Sequence, residues 1–342
     1  MTDLDGKMEN SAKSDCSFNL PANQPLRQSG QQLQTTLAFH RIERETFHYK
    51  WSRAHKPAIT VEPGDTVTFD ANDVLSWQLG PQSTSSDLEG LDENKFYPLA
   101  GPVYVKGAEP GDALVLDILD VNVDNFGWTA ILPGLGLLGE FKKPFLYKWK
   151  LDDKRFAHFE KGISIPIRPF CGVLGVAPAK AGSFDVMPPG KHGGNMDIKH
   201  TTAGSRVRIP VQVKGALFST GDIHAAMGDG EICVCAIECA GSARIRIGLE
   251  KKAGLRWPEY HSKGETPSKS GWYTTTGIAD DLMTAAKESA RGMISHLVKK
   301  IGLSSEEAYV LCSVAADLRI HEVVDTPNWV VGTAIPLDIF PR

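Results

Sequence analysis

The chain has 342 residues, of which 37 are basic and 41 acidic, so its formal net charge is −4. With 42% hydrophobic and 23% charged residues, its composition is typical of a globular protein. The small negative charge argues against nucleic acid or an anionic membrane as a partner, because neither would find a basic surface. No apolar run approaches the roughly 20 residues of a membrane-spanning helix.

Two features of the chain favour the cytoplasm. Its six cysteines, three of them within residues 233–239, do not suggest a disulfide framework. The polar, acidic first fifteen residues lack the basic and apolar regions of a secretory signal. Residues 1–36 contain few apolar side chains, which predicts a flexible leader. We therefore expect residues 37–342 to form a single domain.

From residue 37 onward, short segments of alternating apolar and polar residues predict β-strands. Two of these strands follow the same tripeptide, Pro-Gly-Asp, at residues 63–65 and 110–112, where proline and glycine favour a tight turn. Many short strands separated by glycine and proline turns are typical of a β-sandwich or barrel. The sequence therefore predicts a mainly β fold with a jelly-roll-like β-sandwich core.

Two helices are predicted late in the chain, at about residues 280–318, which makes the overall class α+β. Residues 280–301 place apolar side chains at helical spacing, with acids at the start and lysines at the end, which suits the helix dipole. Gly302 should end this helix. Ser304 or Ser305 should cap the second one, because acidic residues follow at capping-box distance.

The densest group of proton-binding residues lies in a glycine-rich segment that contains Asp222, His224, Asp229 and Glu231. The apolar run at residues 232–240 follows it and predicts a buried strand. The glycine-rich segment is therefore predicted to be a loop that precedes this strand. Histidine and aspartate two residues apart point to one side of an extended segment, and both are zinc ligands. One acidic pair could hold a metal while the other transfers protons. A hairpin turn with solvated acids is the alternative, since Asp-Gly is a turn signal.

A second glycine-rich segment, residues 188–200, contributes His192, Asn195, Asp197 and His200. Neither segment has the spacing of a familiar zinc signature such as HExxH. The residue types therefore indicate a metal site, whereas the spacing alone does not define one.

Five sequence blocks lie between about residue 48 and about residue 327: WSRAHKPAITVEPGDTVTFD, LAGPVYVKGAEPGDALVLDILD, RPFCGVLGVAP, PGKHGGNMD and GDIHAAMGDGE. In content and order they resemble the acetamidase/formamidase family of amide hydrolases. The resemblance implies a mainly β fold and hydrolysis of a short carboxamide to a carboxylate and ammonia. It also implies a metal-dependent, homo-oligomeric cytoplasmic enzyme, and it leaves the choice between formamide, acetamide and a larger amide open.

We therefore expect residues 37–342 to be a catalytic domain that performs metal-assisted amide hydrolysis. A divalent cation would be held by Asp197, Asp222 and His224. Zinc is the expected metal, and calcium could replace it if only oxygen atoms meet the ion. Glu231 or Asp229 would take a proton from water and pass it to the leaving ammonia.

Further candidates lie on the flanking segments. His192 is a third candidate for proton transfer, and Asn195 is expected to contact the substrate. His55 and Trp51 are also assigned to substrate binding, because the resemblance places their segment beside the active site. Packing is the alternative for both, since tryptophan and histidine are often partly buried for that reason alone.

Two other functions remain open. Cys171 stands next to a glycine and could be the nucleophile of a thiol-type amidase, which requires a lowered thiol pKa and a positioned base. No Glu–Lys pair lies beside it in the sequence. A non-catalytic β-sandwich could use the same loops to bind a metal or another ligand without turnover.

Overall fold

The structure is a computed structural model that describes residues 37–199, 201–255, 258–261, 272–322 and 329–341. These residues belong to one compact unit, Leu37–Arg342. The leader predicted for residues 1–36 lies outside the described residues. Within the described ranges, no helix is both long enough and apolar enough to cross a membrane.

Eighteen strands and two helices follow one another along the described residues. The strands are β1 (Phe39–Ile42), β2 (Phe47–His48), β3 (Ile59–Val61), β4 (Thr66–Ala71), β5 (Leu99–Val105), β6 (Ala113–Ile131), β7 (Phe145–Lys150), β8 (Phe156–His158), β9 (Ser164–Pro166), β10 (Phe170–Gly175), β11 (Gly193–Asn195), β12 (Arg206–Pro210), β13 (Ala216–His224), β14 (Glu238–Glu250), β15 (Glu259–His261), β16 (Trp272–Ala279), β17 (Asp317–Glu322) and β18 (Trp329–Pro336). The helices are α1 (Leu282–Ile301) and α2 (Ser305–Ala315).

Thirteen of the described strands form one sheet, in which β11, β10, β13, β14, β6, β12 and β15 lie side by side in that order. The sheet branches, because β4 also pairs with β14 and β5 also pairs with β13. The ring of Phe69 on β4 meets the ring of Phe218 on β13 edge-on, with the centroids 5.5 Å apart. Both side chains are fully buried, so the branches close over a common core. The predicted class, mainly β with a β-sandwich core and a late helical pair, is confirmed.

Both Pro-Gly-Asp tripeptides form turns that their aspartates close. Asp65 accepts a hydrogen bond from the backbone N–H of Glu62 at 3.0 Å, and Asp112 accepts one from the backbone N–H of Glu109 at 2.9 Å. The strands on either side of the first turn do not pair with each other, because β3 pairs with β5 whereas β4 pairs with β1 and β14. The tripeptide therefore redirects the chain between branches of the sheet.

The C-terminal part of the chain packs α1 against a three-stranded sheet of β16, β18 and β17. Asp281 caps α1 by accepting from the backbone N–H of Thr284, and Gly302 ends the helix in the left-handed region at φ 80°. Ser304 and Glu307 form a capping box at the start of α2. The sequence predicted both helices, the glycine that ends α1 and a serine cap for α2.

The order of loop and strand around residues 222–240 is the reverse of the sequence prediction. Strand β13 runs through Asp222 to His224, the loop occupies residues 225–237, and β14 begins only at Glu238. The apolar loop residues are buried because α2 satisfies their backbone: the Ser313 hydroxyl donates to the carbonyl of Cys235 at 2.5 Å. Side chains of α2 therefore supply hydrogen bonds that neighbouring strands would provide to a buried strand.

We predict that Ser304→Ala lowers the free energy of unfolding by about 1 kcal/mol, because the first turn of α2 loses its cap. Urea unfolding would measure this change. Ser305→Ala is the matched control, since it changes the first residue of the same helix and favours helix by propensity. Equal losses in the two variants would contradict the capping role of Ser304.

Candidate active site

One row of paired residues crosses four strands and brings polar groups together at one end of the sheet. Trp128 on β6 lies opposite Glu238 on β14, Glu238 lies opposite His224 on β13, and His224 lies opposite Phe170 on β10. Directly opposed residues have their Cβ atoms roughly 5 Å apart. The register of the sheet alone therefore places the imidazole of His224 beside the carboxylate of Glu238.

The imidazole of His224 is surrounded by four carboxylates. Its Nε2 atom lies 3.1 Å from Glu238 Oε2 and 3.2 Å from Asp222 Oδ1. Its Nδ1 atom lies 3.8 Å from Asp197 Oδ1, and Glu231 belongs to the same group of ligand atoms, all within 4.8 Å of one another. Among the described residues, no lysine or arginine forms an ion pair with these carboxylates. The site is therefore a buried concentration of negative charge.

Two sets of residues could hold a cation, one on each side of this ring. They are Asp197, His224 and Glu231 on the Nδ1 side, and Asp222, His224 and Glu238 on the Nε2 side. Two buried atoms on the Nδ1 side, Asp197 Oδ1 and His224 Nδ1, have no hydrogen-bond partner. A ligand nitrogen and a ligand oxygen without partners fit a cation, since an ion about 2 Å from each could lie between them.

Burial and mutual repulsion shift the pKa values of these groups. Burial raises the pKa of Asp197 to about 7, partly opposed by His224, and it raises the pKa of Glu238 to about 7 in the same way. Burial and the charge of Asp197 raise the pKa of Glu231 well above its usual range. Burial lowers the pKa of His224, but the charges of Glu238 and Asp222 outweigh it and raise the pKa. Without a cation, the cluster therefore retains protons near neutral pH.

Four polar residues of the site have left-handed backbone conformations. Their φ angles are 59° at Tyr97, 47° at Asp197, 53° at Asp222 and 37° at Glu231. Each such residue costs of order 1–3 kcal/mol and persists only where the surroundings enforce it. Strain of this kind is concentrated at functional sites, and here it directs acidic side chains toward one point.

Gly172 on β10 provides the space in which the carboxylates meet. A Cβ atom at this position would lie 2.4 Å from Asp197 Oδ1, 2.9 Å from Asp222 Oδ2 and 2.9 Å from His224 Cε1. Any side chain would therefore occupy the place where these groups approach one another. Glycine is required here for close approach.

The cluster lies at one end of a cavity of about 50 Å³. This is room for a few water molecules, or for a ligand of a few non-hydrogen atoms. Asn195 and Tyr97 add an amide and a hydroxyl to the polar end. Burial and the neighbouring carboxylates raise the pKa of Tyr97, so its hydroxyl stays protonated. The remaining wall is largely apolar and includes Leu75, Phe96, Trp128, Leu132, Leu135 and Met187.

The loop that carries Glu231 rests on the C-terminal part of the chain. A Cβ atom on Gly228 would lie 1.8 Å from the carbonyl oxygen of Ala316, and one on Gly230 would lie 2.6 Å from Leu318 Cβ. The backbone N–H of Leu318 donates to the carbonyl of Asp229 at 2.7 Å. These two glycines therefore permit close packing against the C-terminal segment.

Two of the three predicted catalytic residues, Asp229 and His192, do not line the cavity. The backbone N–H of Asp229 donates to Asp317 Oδ1 at 3.1 Å, and its carboxylate lies 3.8 Å from Lys199 Nζ. The ring of His192 packs edge-on against Trp51, with the centroids 5.3 Å apart, and burial lowers its pKa. Glu231 is the predicted proton acceptor that reaches the cavity.

Trp51 and His55, which were predicted to bind the substrate, also lie outside the cavity lining. Trp51 is 1% exposed and packs against Val173 of β10. His55 stacks on His48 with the ring centroids 4.5 Å apart. Val173 in turn pairs with Asn195 of β11. This aromatic cluster therefore supports the strand that presents Asn195, the one predicted substrate contact that lines the cavity.

Sequence reasoning did not find Glu238, Gly172 or Tyr97. A signal existed for Glu238, because an acid inside an otherwise apolar run is rarely buried without a partner. No local signal marks Gly172 or Tyr97, since their importance depends on strands that are distant in the sequence.

The thiol alternative has no suitable nucleophile at this site. Cys171 is buried on β10 outside the cavity lining, and burial raises its pKa to about 11. Cys235 lines the cavity, but burial and the charge of Glu238 raise its pKa well above the usual value. Both thiols therefore stay protonated, whereas a nucleophilic cysteine needs a lowered pKa.

Asp73 fixes one wall of the cavity. Its carboxylate accepts from Trp128 Nε1 at 2.6 Å and from the backbone N–H of Leu75 at 3.0 Å, and both partners line the cavity. Burial raises the pKa of Asp73 from 3.8 to about 6, although these hydrogen bonds oppose the shift. The carboxyl group therefore binds its proton more tightly in the folded state than in the unfolded state.

We predict that the stability of the wild type relative to Asp73→Asn falls as pH rises from about 4 to about 6, because a raised pKa stabilises the fold only at low pH. The difference should reach about 3 kcal/mol and stay constant at higher pH. Urea unfolding over a pH series would measure it. Asp112→Asn is the control: hydrogen bonds from Lys251 and the backbone outweigh burial and lower the pKa of Asp112, so its stabilisation should be lost as pH falls. The same slope in both variants would contradict the prediction.

Comparison with known proteins identifies the family. The model of the Acetamidase/Formamidase family matches residues 36–183 and 179–342. The chain is 29% identical to the formamidase of Methylophilus methylotrophus, over 86% of this chain and 89% of that protein. Its fold is similar to a gamma lactamase from Delftia acidovorans (TM-score 0.83, 27% identity, 89% and 94% coverage). It is also similar to an acetamidase from Bacillus halodurans (TM-score 0.62, 33% identity, 87% and 97% coverage). Fold, site and these matches agree: the chain belongs to the acetamidase/formamidase family of amide hydrolases.

Proposed function

We propose that this enzyme hydrolyses a short primary carboxamide to a carboxylate and ammonia with the help of a bound divalent cation. The observation that carries the proposal is the pair Asp197 Oδ1 and His224 Nδ1. These two atoms are buried, unpartnered and 3.8 Å apart, and their residues line the cavity.

The chemistry of the donor set supports a cation in this place. Four carboxylates surround one imidazole, and so much buried negative charge is costly unless protons or a cation neutralise it. A nitrogen ligand favours zinc over calcium, which prefers oxygen ligands alone. When bound, the cation would stabilise negative charge on the amide oxygen and make water more acidic.

The two ring nitrogens of His224 have different roles in this proposal. Nδ1 faces Asp197 and is the nitrogen available to the cation. Nε2 lies between Glu238 and Asp222, so an N–H at this position can donate to either carboxylate. Metal-binding histidines are usually oriented in this way, by a carboxylate that accepts from the other nitrogen. Asp222, predicted as a ligand, thus becomes an orienting group together with Glu238.

Glu231 is the proton carrier in this proposal. It lies in the same group of ligand atoms as Asp197 and His224, and it has a raised pKa. A carboxylate with a raised pKa can take a proton from the attacking water and return it to the leaving nitrogen near neutral pH. Asn195 and the protonated hydroxyl of Tyr97 hold the carboxamide by hydrogen bonds.

The cavity size supports a small substrate. A volume of about 50 Å³ admits a molecule with few non-hydrogen atoms, such as formamide or acetamide. The similarity to a gamma lactamase makes a cyclic amide the second candidate, because opening a lactam breaks the same type of bond. The two candidates differ in their products, since ring opening releases no ammonia.

We predict that chelation abolishes ammonia release from formamide and acetamide and that zinc restores it. Glu231→Gln should lower kcat at least about 100-fold, because proton transfer by a positioned side chain contributes about 10²–10⁴-fold. The variant should still bind zinc, measured by elemental analysis, because an amide can replace a proton carrier without removing the ligands. Hydrolysis of γ-butyrolactam is followed in parallel by its ring-opened product.

Cys171→Ala and Cys235→Ala are the controls in this assay, and both should retain chelator-sensitive activity. Activity that survives chelation and disappears in either cysteine variant would instead establish thiol catalysis. Loss of zinc together with activity in Glu231→Gln would make Glu231 a ligand. Zinc binding without turnover of any amide would contradict the hydrolase proposal and favour the non-catalytic binding function.

We also predict that Gly172→Ala lowers kcat at least about 100-fold, because misplacing catalytic groups by about 1 Å costs that much. The new methyl group would lie 2.4 Å from Asp197 Oδ1 and force the carboxylates apart. Gly248→Ala is the matched control, since this glycine also lies in a strand and its Cβ would come no closer than 3.5 Å to any neighbour. Equal activity of the two variants would contradict the role of Gly172.

A further inference from the structure

We propose that Asp317 is a positioning residue for the active site: it ties the segment that carries Asp197 to the loop that carries Glu231. Asp317 is the first residue of β17 and touches neither the cavity nor the carboxylate cluster. The inference rests on the proposed function insofar as Asp197 and Glu231 perform the chemistry.

The contacts of Asp317 span two segments that are far apart in the sequence. Its carboxylate forms an ion pair with Lys199, two residues beyond Asp197. The same oxygen, Oδ1, accepts from the backbone N–H of Asp229 at 3.1 Å, two residues before Glu231. One oxygen atom therefore connects both segments, and a change in its position would be transmitted to both.

The remaining contacts make this connection rigid. The side chain of Asp317 is 3% exposed, and its second oxygen accepts from Arg319 at 2.6 Å. Burial raises the pKa of Asp317, but the charge of Lys199 and the other hydrogen bonds outweigh it and lower the pKa. Charge-assisted hydrogen bonds in a buried place are among the stronger and more directional ones.

The positions that need rigid support are those of Asp197 and Glu231. Both have left-handed backbones, at φ 47° and 37°, which relax unless their surroundings hold them. Their carboxylates belong to one group of ligand atoms within 4.8 Å of one another. When both carboxylates are ionised they repel each other, so contacts outside the cluster must hold their segments together. Asp317 is placed to supply this tie from β17.

A second buried aspartate provides a matched comparison. Asp112 is 4% exposed, forms an ion pair with Lys251 at 2.5 Å and accepts backbone hydrogen bonds from Glu109 and Lys252. Like Asp317, it pairs with a lysine and accepts backbone hydrogen bonds, and it does not line the cavity. Asp112→Asn therefore measures the cost of losing a buried aspartate that pairs with a lysine, without any link to the active site.

The experiment compares Asp317→Asn, Lys199→Met, their double variant and Asp112→Asn in the zinc-loaded, full-length enzyme. We measure kcat and KM for formamide and acetamide, zinc content, the urea midpoint and hydrogen exchange of residues 197–199 and 228–231. Asp317→Asn should lower kcat about 10–100-fold, which is the usual effect of an outer partner of a metal site. Its KM should stay within about threefold, because the substrate contacts remain. Asp112→Asn should lower the urea midpoint comparably and leave kcat within about twofold.

Two further results are expected if Asp317 acts through Lys199 and Asp229. The double variant should be no slower than the worse single variant, because the residues act as one unit. Hydrogen exchange should accelerate in both segments in Asp317→Asn and in neither in Asp112→Asn. Effects on kcat that multiply in the double variant, or equal kcat in Asp317→Asn and Asp112→Asn, would overturn the proposal.

Measurements on the wild type distinguish a failure of this inference from a failure of the proposed function. A wild type that releases no ammonia, or that works without zinc, contradicts the proposed function and leaves the exchange comparison unaffected. Unchanged exchange at residues 197–199 and 228–231 in Asp317→Asn contradicts the positioning role even if the wild type is a zinc-dependent amidase.

Discussion

The buried negative charge around His224 is the constraint on which the rest of the site depends. Four carboxylates converge on one imidazole, and burial raises the pKa of Asp197 and of Glu238 to about 7. Such an arrangement has a high free energy unless protons or a cation neutralise it. Strained backbones, a glycine with no room for a methyl group and a rigid supporting loop all serve to hold it. The fold therefore holds mutually repelling carboxylates together at the place where the proposed function puts the hydrolysis.

The sheet and the C-terminal segment each hold different residues of the site in position. The register of β6, β14, β13 and β10 fixes Trp128, Glu238 and His224 in one row, so half of the site follows from strand pairing. Asp197 and Glu231 lie on loops and need support from outside the sheet. Helix α2 and the start of β17 provide it, through hydrogen bonds between their side chains and the loop backbone and through the ion pair between Asp317 and Lys199. The late part of the chain thus holds active-site residues in position.

Local pattern was enough to predict the fold class and the helix ends, because turns, caps and alternation depend on neighbours in the sequence. Asp197, His224 and Glu231 were also identifiable, since acids and imidazoles beside glycine are conspicuous. The order of strand and loop after residue 222 was predicted wrongly, because the hydrogen bonds of the apolar run come from α2, some 80 residues later. Gly172 could not be recognised, since the groups that would collide with a side chain belong to other strands.

The close packing of Gly228 on Ala316 has a consequence for the order in which the protein matures. Every residue that lines the cavity precedes residue 239, yet the surface that shapes the Glu231 loop is synthesised about 80 residues later. Pairing of β13 with β14, which brings Asp222, His224 and Glu238 together, involves only residues that are synthesised before that surface. The loop that carries Glu231 therefore reaches its final packing only after residues 316–318 have been synthesised and have docked against it.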